Sequence, residues 1–374
     1  MIWEALFWGG VGVVFVSYAG YAFWVAFLAR VRPIGTTARY APDSLLPRVT
    51  CVMAAANEAA LIERKLSALA RQDYPSEKIA IIIVSDASTD DTDRVVREWA
   101  ARDRRIRLLR MPRRSGKPTA LNLARRHIET EIAVLMDVRQ EMTSEAVREL
   151  VAHLADPHVG VASGDLRVKG DMYWTYESYV RKCESRSGSM VQVTGSLYAI
   201  RTEDLPEIPP DMILDDVYVP LTVALSGRRI VMAEKAGSLD VVTRSVSNEF
   251  ARKVRTLAGL VQICHTVKGC LNPARNPMWG RFVVHKLSRL ASPYGLLLML
   301  VGSLMAQGWM YRIAFAGLVG LGLVALSGYL GLRSRLSSTI QSFLALNLAA
   351  LWAVPSYYLG HASVTWARVE TDRT

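Results

Sequence analysis

Apolar stretches long enough to cross a bilayer lie at both ends of this chain, and they constrain its fold more than any other feature. Residues 5–28 are almost wholly apolar or small, and a run of about 24 residues spans a hydrocarbon core of roughly 30 Å. A cleaved signal peptide is the alternative, but no basic region precedes the stretch and its apolar run is too long. Three further candidate spans lie at residues 290–310, 313–332 and 336–359.

Basic residues indicate how these spans are oriented. Arg30 and Arg32 follow the first span directly, and Lys286 and Arg289 precede the second. Because basic residues concentrate on the cytoplasmic side of membrane proteins, both clusters predict an outside N-terminus and a cytoplasmic region over residues 31–289. We therefore expect an integral, multi-pass protein of a bacterial-type inner or plasma membrane, with its soluble domain in the cytoplasm.

Residues 249–271 mix basic and apolar side chains, and the apolar ones recur every three to four residues. This pattern predicts an amphipathic helix on the membrane surface, and burial of its apolar side against the soluble domain is the alternative. The predicted domains are an N-terminal membrane helix over 1–30, an α/β domain over 31–248, interfacial helices over 249–289 and about three membrane helices over 290–374.

Between residues 47 and 240, short apolar runs alternate with helical patterns. The predicted strands are 48–54, 79–84, 106–110 and 132–136, and the predicted helices are 59–71, 92–103 and 118–127. This alternation indicates a doubly wound α/β sheet. Ligands of such sheets bind beyond the carboxyl ends of the strands, so the polar residues at those ends form the candidate site.

Carboxylates follow three of these strands. Glu58 comes after the first strand, Asp86 after the second and Asp137 after the fourth. Acids gathered at one rim repel one another unless a cation or hydrogen-bond donors compensate them, and a sugar nucleotide with a divalent metal supplies both. Any single polar residue can instead cap a helix, and we favour that interpretation for residues 89–91.

Charge and cysteine content narrow the classes of function. A net charge of +11 suggests nucleic acid, a membrane surface or a phosphorylated substrate as partner. Acids on a binding rim repel the phosphates of nucleic acid, so we expect no nucleic-acid partner. The four cysteines form no CxxC pair, which argues against a zinc site.

Four motifs occur in order between residues 48 and 260. They are Asn57-Glu58 after the opening strand, Asp86-Ala87-Ser88-Thr89-Asp90-Asp91-Thr92, Ser115-Gly116-Lys117-Pro118-Thr119-Ala120-Leu121-Asn122, and Leu214-Asp215-Asp216 with Gly227 downstream. In this order they resemble the first nucleotide-binding strand, the DDGSTDxT loop, the GKxxALN segment and the ED motif of glycosyltransferase family 2. The resemblance implies a Rossmann-like GT-A fold and an inverting transfer from a nucleotide-sugar, with UDP as the expected nucleotide.

The resemblance also assigns residues to the donor side of the site. Glu58 and Asp86 would contact the base and ribose, and Lys117 would approach the diphosphate as a cation near phosphate should. Asp137 would be the first acid of the metal-binding DxD motif and would hold Mg²⁺ or Mn²⁺. The metal and basic residues would neutralise the charge that develops on the leaving diphosphate.

On the acceptor side, the resemblance makes Asp216 the general base that deprotonates the attacking hydroxyl. Gly195 and Ser196 resemble the acceptor-side segment that precedes the base, and Asp215 of the ED motif joins them there. A single displacement at the anomeric carbon then inverts its configuration, and no second, nucleophilic carboxylate is needed.

Two departures from the family pattern concern the metal-binding motif and the motif of processive members. The DxD motif reads Asp137-Val138-Arg139, and Arg139 would pair with a phosphate or with a nearby acid such as Glu141. Mg²⁺ needs only one or two protein carboxylates when it keeps water ligands, so we still expect a metal. The QxxRW motif of processive members reads Arg252-Lys253-Val254-Arg255-Thr256, where Arg255 would face the diphosphate or bind lipid headgroups.

The membrane layout resembles the smaller hyaluronan- and chitin-oligomer-synthase-like members of the family. The first hypothesis is therefore a synthase of cell-surface polysaccharide, and the second is a non-processive transferase that adds one sugar to a polyprenyl-linked lipid. A catalytically inactive membrane scaffold is the third. The expected partners are a nucleotide-sugar donor, a glycan or lipid-linked acceptor and membrane lipids, and a homo-oligomer is an open option because three spans offer little material for a channel.

Overall fold

The structure, a computed structural model, describes residues 1–35, 38–168, 172–240, 246–330 and 334–361. The chain divides into two compact units. The first unit contains residues 1–24 with the described parts of 244–265 and 280–363. The second contains the described parts of 25–243 and 266–279.

An eight-stranded sheet forms the centre of the second unit. Its strands are β1 (Val49–Ala55), β2 (Ile79–Ser85), β3 (Ile106–Arg110), β4 (Ile132–Met136), β5 (Glu141–Met142), β6 (Val159–Val168), β7 (Leu197–Arg201) and β8 (Arg229–Asp240). They are ordered β3-β2-β1-β4-β7-β6-β8-β5. The first four in this order are parallel, as the doubly wound pattern predicts, whereas β7 runs antiparallel to both β4 and β6. The sheet is therefore mixed.

Along the described part of the chain, two α-helices precede the strands, six lie between them and five follow them. In chain order they are α1 (Ile2–Phe15), α2 (Tyr21–Val31), α3 (Ala59–Ala70), α4 (Thr92–Arg102), α5 (Lys117–Arg125), α6 (Ala146–Leu154), α7 (Met172–Ser187), α8 (Asp215–Leu225), α9 (Val246–Thr266), α10 (Trp279–Arg281), α11 (Ser288–Met305), α12 (Trp309–Tyr329) and α13 (Arg335–Tyr358).

Continuous apolar runs explain the parallel half of the sheet. Every residue of β1 is buried, and so is all of β2 except Ala80, which is half-buried. This is the expected pattern for parallel strands that are covered on both faces. Helix α3 adds Ile62, Leu66 and Leu69 to the same core, at the spacing of one helical face. Polar side chains are thereby confined largely to the strand ends and the loops that follow them.

The strands and helices predicted over residues 48–136 are confirmed to within a residue or two. The apolar run at 79–84, for example, forms β2, and the helical pattern at 118–127 forms α5. Both predictions succeed because the segments are bounded by polar or turn-forming residues that end the apolar pattern.

Within the described residues, four helices are long and apolar enough to cross a membrane: Ile2–Val31, Trp279–Met305, Trp309–Gly328 and Ser337–Tyr358. They coincide with the four predicted spans. The second begins earlier than predicted, however, so that residues 279–289 belong to it. It includes a π-helical turn at Phe282–Leu287.

Close helix packing through glycines holds the first unit together. A Cβ atom at Gly302 of α11 would lie 2.7 Å from the backbone nitrogen of Phe7 and 2.8 Å from the carbonyl oxygen of Trp3 on α1. A Cβ at Gly295 would lie 3.0 Å from side-chain atoms of Val13. Small residues at such contacts let apolar helices approach closely where burial from water offers little driving force.

Helix α9 packs beside α13 within the same unit. The ring of His265 stacks on Tyr357, with centroids 5.6 Å apart, and Lys253 Nζ lies 3.5 Å from the carbonyl oxygen of Ser342. Along α9 an apolar side is buried, comprising Val254, Leu257, Ala258, Leu260, Val261 and Ile263. The predicted amphipathic helix is present, and its position on a membrane surface stays a prediction.

Candidate active site

The loops that follow β1 and β2 are joined at the rim of the sheet. Asn57, in the left-handed region with φ 61°, accepts a hydrogen bond at its Oδ1 from the amide of Thr89, at 2.8 Å. Asp90 accepts from the amides of Ala59 and Thr92, at 3.1 and 3.0 Å, and so serves the first turns of both α3 and α4. Of residues 89–91, Asp90 thus bonds the start of α4 through its side chain, whereas Asp91, which directly precedes the helix, makes no side-chain capping bond.

Asp86 organises the turn that leads into α5. Its two carboxylate oxygens accept hydrogen bonds from the backbone amides of Ser115, at 2.8 Å, and Gly116, at 2.9 Å. The side chain is buried, and Gly116 takes φ 90°, a conformation that favours glycine. Asp86 thus joins the end of β2 to the segment that carries Lys117. Its predicted contact with the nucleotide stays a prediction.

We expect Asp86→Asn to destabilise the second unit by about 2–3 kcal/mol, because the new amide turns a donor towards one of the two backbone N–H groups. The unfolding midpoint should fall by about 5–10 °C, measured by thermal unfolding of the purified protein in detergent. Asp91→Asn is the matched control, since Asp91 is an exposed carboxylate that pairs with Arg94 on the surface, and its effect should stay below about 1 kcal/mol. Equal midpoints for the two variants would contradict this assignment.

Lys117 bridges two carboxylates from distant parts of the chain. Its Nζ lies 2.9 Å from Asp137 Oδ1, at the end of β4, and 3.2 Å from Asp215 Oδ2, in the first turn of α8. Burial alone would lower the pKa of Lys117, but the two carboxylates raise it well above its ordinary value. The side chain is therefore an ammonium ion held by two acids. Its predicted approach to a diphosphate stays a prediction.

Asp216 lies beside this cluster, one residue after Asp215. Burial raises the pKa of Asp216 and the neighbouring Asp215 raises it further, while a hydrogen bond from Gln192 and the charges of Lys117 and Arg181 oppose both. Nε2 of Gln192 donates to Asp216 Oδ2 at 2.6 Å. The result is a buried carboxylate with raised basicity, which is the property that a general base requires.

Two of the residues predicted on the acceptor side, Gly195 and Ser196, make structural contacts within the domain. A Cβ at Gly195 would lie 3.2 Å from the Cβ of Asp216, so this position must stay small beside the carboxylate. The hydroxyl of Ser196 bonds that of Ser238 at 2.8 Å, and both residues are buried. The carbonyl oxygen of Ser196 accepts from the amide of Asp137 at 3.2 Å. Whether Gly195, Ser196 and Asp215 contact an acceptor stays a prediction.

Tyr198 follows Ser196 by two residues, in the segment that resembles the acceptor side, and it lies close to the acid cluster. It is fully buried on β7, and its hydroxyl has no hydrogen-bond partner among the residues that the structure describes. Burial raises the pKa of this phenol well above its ordinary value, and the nearby Asp215 adds to the effect. Tyr198 is therefore a neutral phenol close to Lys117 and Asp215.

Arg139 pairs with an acid other than the one predicted. One of its guanidinium nitrogens lies 3.1 Å from Asp240 Oδ1, at the end of β8, and Gln140 donates to the same carboxylate at 3.2 Å. Glu141, the partner suggested from the sequence, pairs instead with Arg64 at 2.9 Å. The strand order places the end of β8 beside this loop, which explains why a residue so distant in sequence takes the position.

A divalent cation fits this site through one carboxylate. Asp137 engages Lys117 through Oδ1, and its side chain remains 35% exposed. The described residues contain no group of three or more His, Cys, Asp or Glu side chains that would hold a metal by themselves. Mg²⁺ and similar ions bind nucleotides with one or two protein carboxylates, the remaining ligands being phosphate oxygens and water. The donor set therefore suits a metal that is shared with a diphosphate.

Glu58 and Arg255 complete the set of predicted residues. Glu58 is half-buried near Asp137, and burial raises its pKa to about 7, with Arg139 opposing and Asp137 and Asp90 adding to the shift. Arg255 lies on α9, in the other unit of the structure. Glu58, Lys117, Asp137, Asp215 and Asp216 are thus near neighbours in one site, and the contribution of Arg255 stays a prediction.

The chain is similar in sequence to a family model and to curated relatives. Residues 50–201 match the family model of glycosyl transferase family 2. An N-acetylglucosaminyltransferase of Rhizobium meliloti is 26% identical over 176 residues, which cover 44% of this chain and 41% of that protein. A poly-β-1,6-N-acetyl-D-glucosamine synthase of Staphylococcus epidermidis is 20% identical over 225 residues, covering 56% and 54%. The chain thus spans about half the length of these relatives.

A solved structure extends the similarity of fold to nearly the whole chain. The mannosyltransferase PcManGT from Pyrobaculum calidifontis, in complex with GDP-Man and Mn²⁺, superimposes with a TM-score of 0.73 at 24% identity. The match covers 96% of this chain and 99% of that one. Residues 50–201 therefore form a glycosyltransferase family 2 domain, and the chain has the GT-A fold.

Proposed function

We propose that this protein is an inverting glycosyltransferase that moves a sugar from a nucleotide-sugar to a glycan or lipid-linked acceptor. The observation that carries the proposal is the position of Asp216. It is a buried carboxylate of raised pKa, placed beside the Lys117, Asp137 and Asp215 cluster at the carboxyl end of β4. This arrangement puts a base next to the place where a leaving diphosphate would be held.

The proposed reaction is a single displacement. The acceptor hydroxyl attacks the anomeric carbon from the face opposite the nucleoside diphosphate, and Asp216 takes the hydroxyl proton as the new C–O bond forms. The bond from the anomeric carbon to the diphosphate oxygen breaks, and the diphosphate leaves with the electron pair. Lys117 fixes Asp137 and Asp215 on either side, so the charged groups need little reorganisation during the reaction.

Asp137 would hold the divalent metal, with Mg²⁺ or Mn²⁺ as the expected ion. When bound, such a metal neutralises charge on the leaving diphosphate. The guanidinium of Arg139, which Asp240 holds in place, lies on the same loop and would supply a second positive charge near the diphosphate. Glu58 and Asp86 would support the nucleotide end of the donor, Glu58 by contact and Asp86 through the turn at residues 115–116.

The acceptor and the extent of reaction belong to the same proposal. The sequence at residues 252–256 lacks the Gln and Trp of the processive QxxRW motif, which favours a transferase that adds single sugars over a polymer synthase. The four candidate spans favour an acceptor reached at the membrane. We place the active site on the cytoplasmic face, where nucleotide-sugars are available, with Arg255 on a helix at the membrane surface.

A donor panel tests the proposal. Purified protein in lipid nanodiscs is incubated with UDP- and GDP-sugars, a lipid extract and Mg²⁺ or Mn²⁺, and release of nucleoside diphosphate is followed together with the radiolabel in lipid and polymer fractions. One donor should be consumed. The product should carry a single sugar on the lipid, with the configuration of the anomeric carbon inverted. Long products would favour the synthase, and no consumption of any donor by the wild-type protein would favour the inactive scaffold.

A further inference from the structure

A short segment, residues 192–195, surrounds the carboxylate of Asp216. Gln192 donates to its Oδ2 at 2.6 Å, and the amide of Val193 donates to its backbone carbonyl at 3.1 Å. A Cβ atom at Gly195 would lie 3.2 Å from the Cβ of Asp216, so the glycine leaves room for the aspartate side chain. Three of the four residues in the segment thus face the same acid, although they precede it by more than twenty positions.

The segment is itself held in place by buried polar contacts. The amide of Thr194 donates to the hydroxyl of Ser163 on β6 at 2.8 Å, and Arg181 of α7 donates to the hydroxyl of Thr194 at 3.0 Å. All three residues are buried. Because buried hydrogen-bonded groups have few alternative arrangements, Gln192 projects from a backbone with little freedom to move.

We propose that Gln192 is a positioning residue for the general base. Its amide occupies Oδ2 of Asp216 and fixes the plane of the carboxylate, so that Oδ1 is presented to the acceptor hydroxyl. The same hydrogen bond favours the ionised form, since an N–H donor stabilises the charged carboxylate over the neutral acid. This inference rests on the proposed function, in which Asp216 is the base.

Several charged groups act on Asp216 in addition to Gln192. Asp215 precedes it on α8, Lys117 approaches from α5 and Arg181 from α7, and the last two oppose the raising effect of burial. Asp137 of the β4 end and the phenol of Tyr198 on β7 belong to the same cluster. Only Gln192 donates a hydrogen bond to the Asp216 side chain among the contacts between described residues.

The substitution Gln192→Met tests the proposal, because methionine keeps the length of the side chain and removes the donor. The acid limb of the kcat/KM profile should move to higher pH by about one unit or more, which is the size expected for losing a hydrogen bond to a charged group. On the acid side of that limb, transfer should therefore fall by up to about tenfold for each pH unit that the limb moves, and it should recover as the pH rises above the limb. Affinity for the nucleoside diphosphate should stay within twofold.

Gln72→Met is the matched control. Gln72 is also buried and makes its hydrogen bonds within the fold, to the carbonyl oxygens of Ala68 and Thr143 and the amide of Val147. It should lower thermal stability and leave the pH profile unmoved. A Gln192→Met profile that coincides with that of Gln72→Met would overturn the proposal, because a merely structural role predicts that result.

A second readout does not depend on activity. A carboxyl whose pKa is raised in the folded state holds its proton longer than in the unfolded state, so stability falls as pH rises through that interval. Gln192→Met should extend the interval upwards, so its unfolding midpoint relative to wild type should keep declining at pH values where the decline of the wild type has ended. When Asp216 is also replaced by Asn, Gln192→Met should no longer change the pH dependence of the unfolding midpoint. A change that persists in this double variant would contradict the inference.

The two readouts separate failure of the inference from failure of the proposed function. If Asp216→Asn retains full transfer, the assignment of the base is wrong, whereas the thermal titration still decides whether Gln192 controls the charge of Asp216. Asp216→Asn could instead be inactive while Gln192→Met changes neither the pH profile of kcat/KM nor the pH dependence of the unfolding midpoint. Asp216 would then remain the general base, and its positioning by Gln192 would be refuted.

Discussion

Asp216→Asn is expected to reduce kcat/KM for sugar transfer by about 10²- to 10⁴-fold, the usual contribution of a positioned general base. The amide cannot accept the hydroxyl proton, while its oxygen can still accept the hydrogen bond from Gln192. Binding of the nucleoside diphosphate should be unchanged within about threefold, because Asp216 acts on the acceptor. The measurement is initial rate against acceptor concentration, with diphosphate affinity determined separately by calorimetry.

Stability distinguishes loss of chemistry from loss of fold in this variant. Burial raises the pKa of Asp216, so its ionised form is less favourable in the folded protein than in the unfolded chain. Removing that charge should leave the unfolding midpoint unchanged or higher. Asp211→Asn is the control, since Asp211 is exposed in the loop before α8, and its transfer rate should stay within twofold of wild type. Transfer by Asp216→Asn within tenfold of wild type would mean that another group serves as base.

The parallel half of the fold was predictable because its signals are local. Residues 79–84 are uninterrupted apolar positions between polar ones, and no structure other than a short buried strand or helix accommodates them. Once such strands are parallel neighbours, their carboxyl ends meet at one rim. That reasoning alone gathers Glu58, Asp86 and Asp137 in one place, and the structure confirms that Glu58 and Asp137 are near neighbours.

Side-chain partners across the sheet were not predictable in the same way. Arg139 was expected to pair with a phosphate or with Glu141, yet it pairs with Asp240, about a hundred residues later. Nothing local marks Asp240, because its position depends on β8 lying between β6 and β5. Gln192 was missed for the same reason, since an amide in a loop carries no spacing signal.

The roles of Asp86 and Lys117 show where motif reasoning is too coarse. The motifs place both residues at the donor side, and this placement stays a prediction. Their immediate contacts, however, are with the protein: Asp86 with the amides of Ser115 and Gly116, and Lys117 with two carboxylates. A motif identifies which residue types recur together, and it does not separate those that touch a ligand from those that hold the others.

Lys117→Met is expected to destabilise the second unit by about 3–5 kcal/mol, the cost of removing one partner from a buried ion pair. Asp137 and Asp215 would be left close together without their cation, and Asp215 is nearly buried. The unfolding midpoint should fall by about 10 °C. Lys235→Met is the control, because Lys235 is exposed and its Nζ lies 3.9 Å from Glu149. An exposed ammonium at that distance contributes about 1 kcal/mol or less.

The pH dependence of this loss identifies its cause. The pKa of Lys117 in the folded protein lies above its ordinary 10.5, so its contribution is fully present at pH 7 and is lost only in strongly alkaline solution. In Lys117→Met the two acids can instead relieve their repulsion by taking up a proton. The deficit in unfolding midpoint should therefore shrink as the pH falls from 7 to 5, and adding Asp215→Asn should restore part of it at pH 7. A deficit that is constant with pH and unaffected by Asp215→Asn would indicate that lost packing, and not the unpaired carboxylates, destabilises the variant.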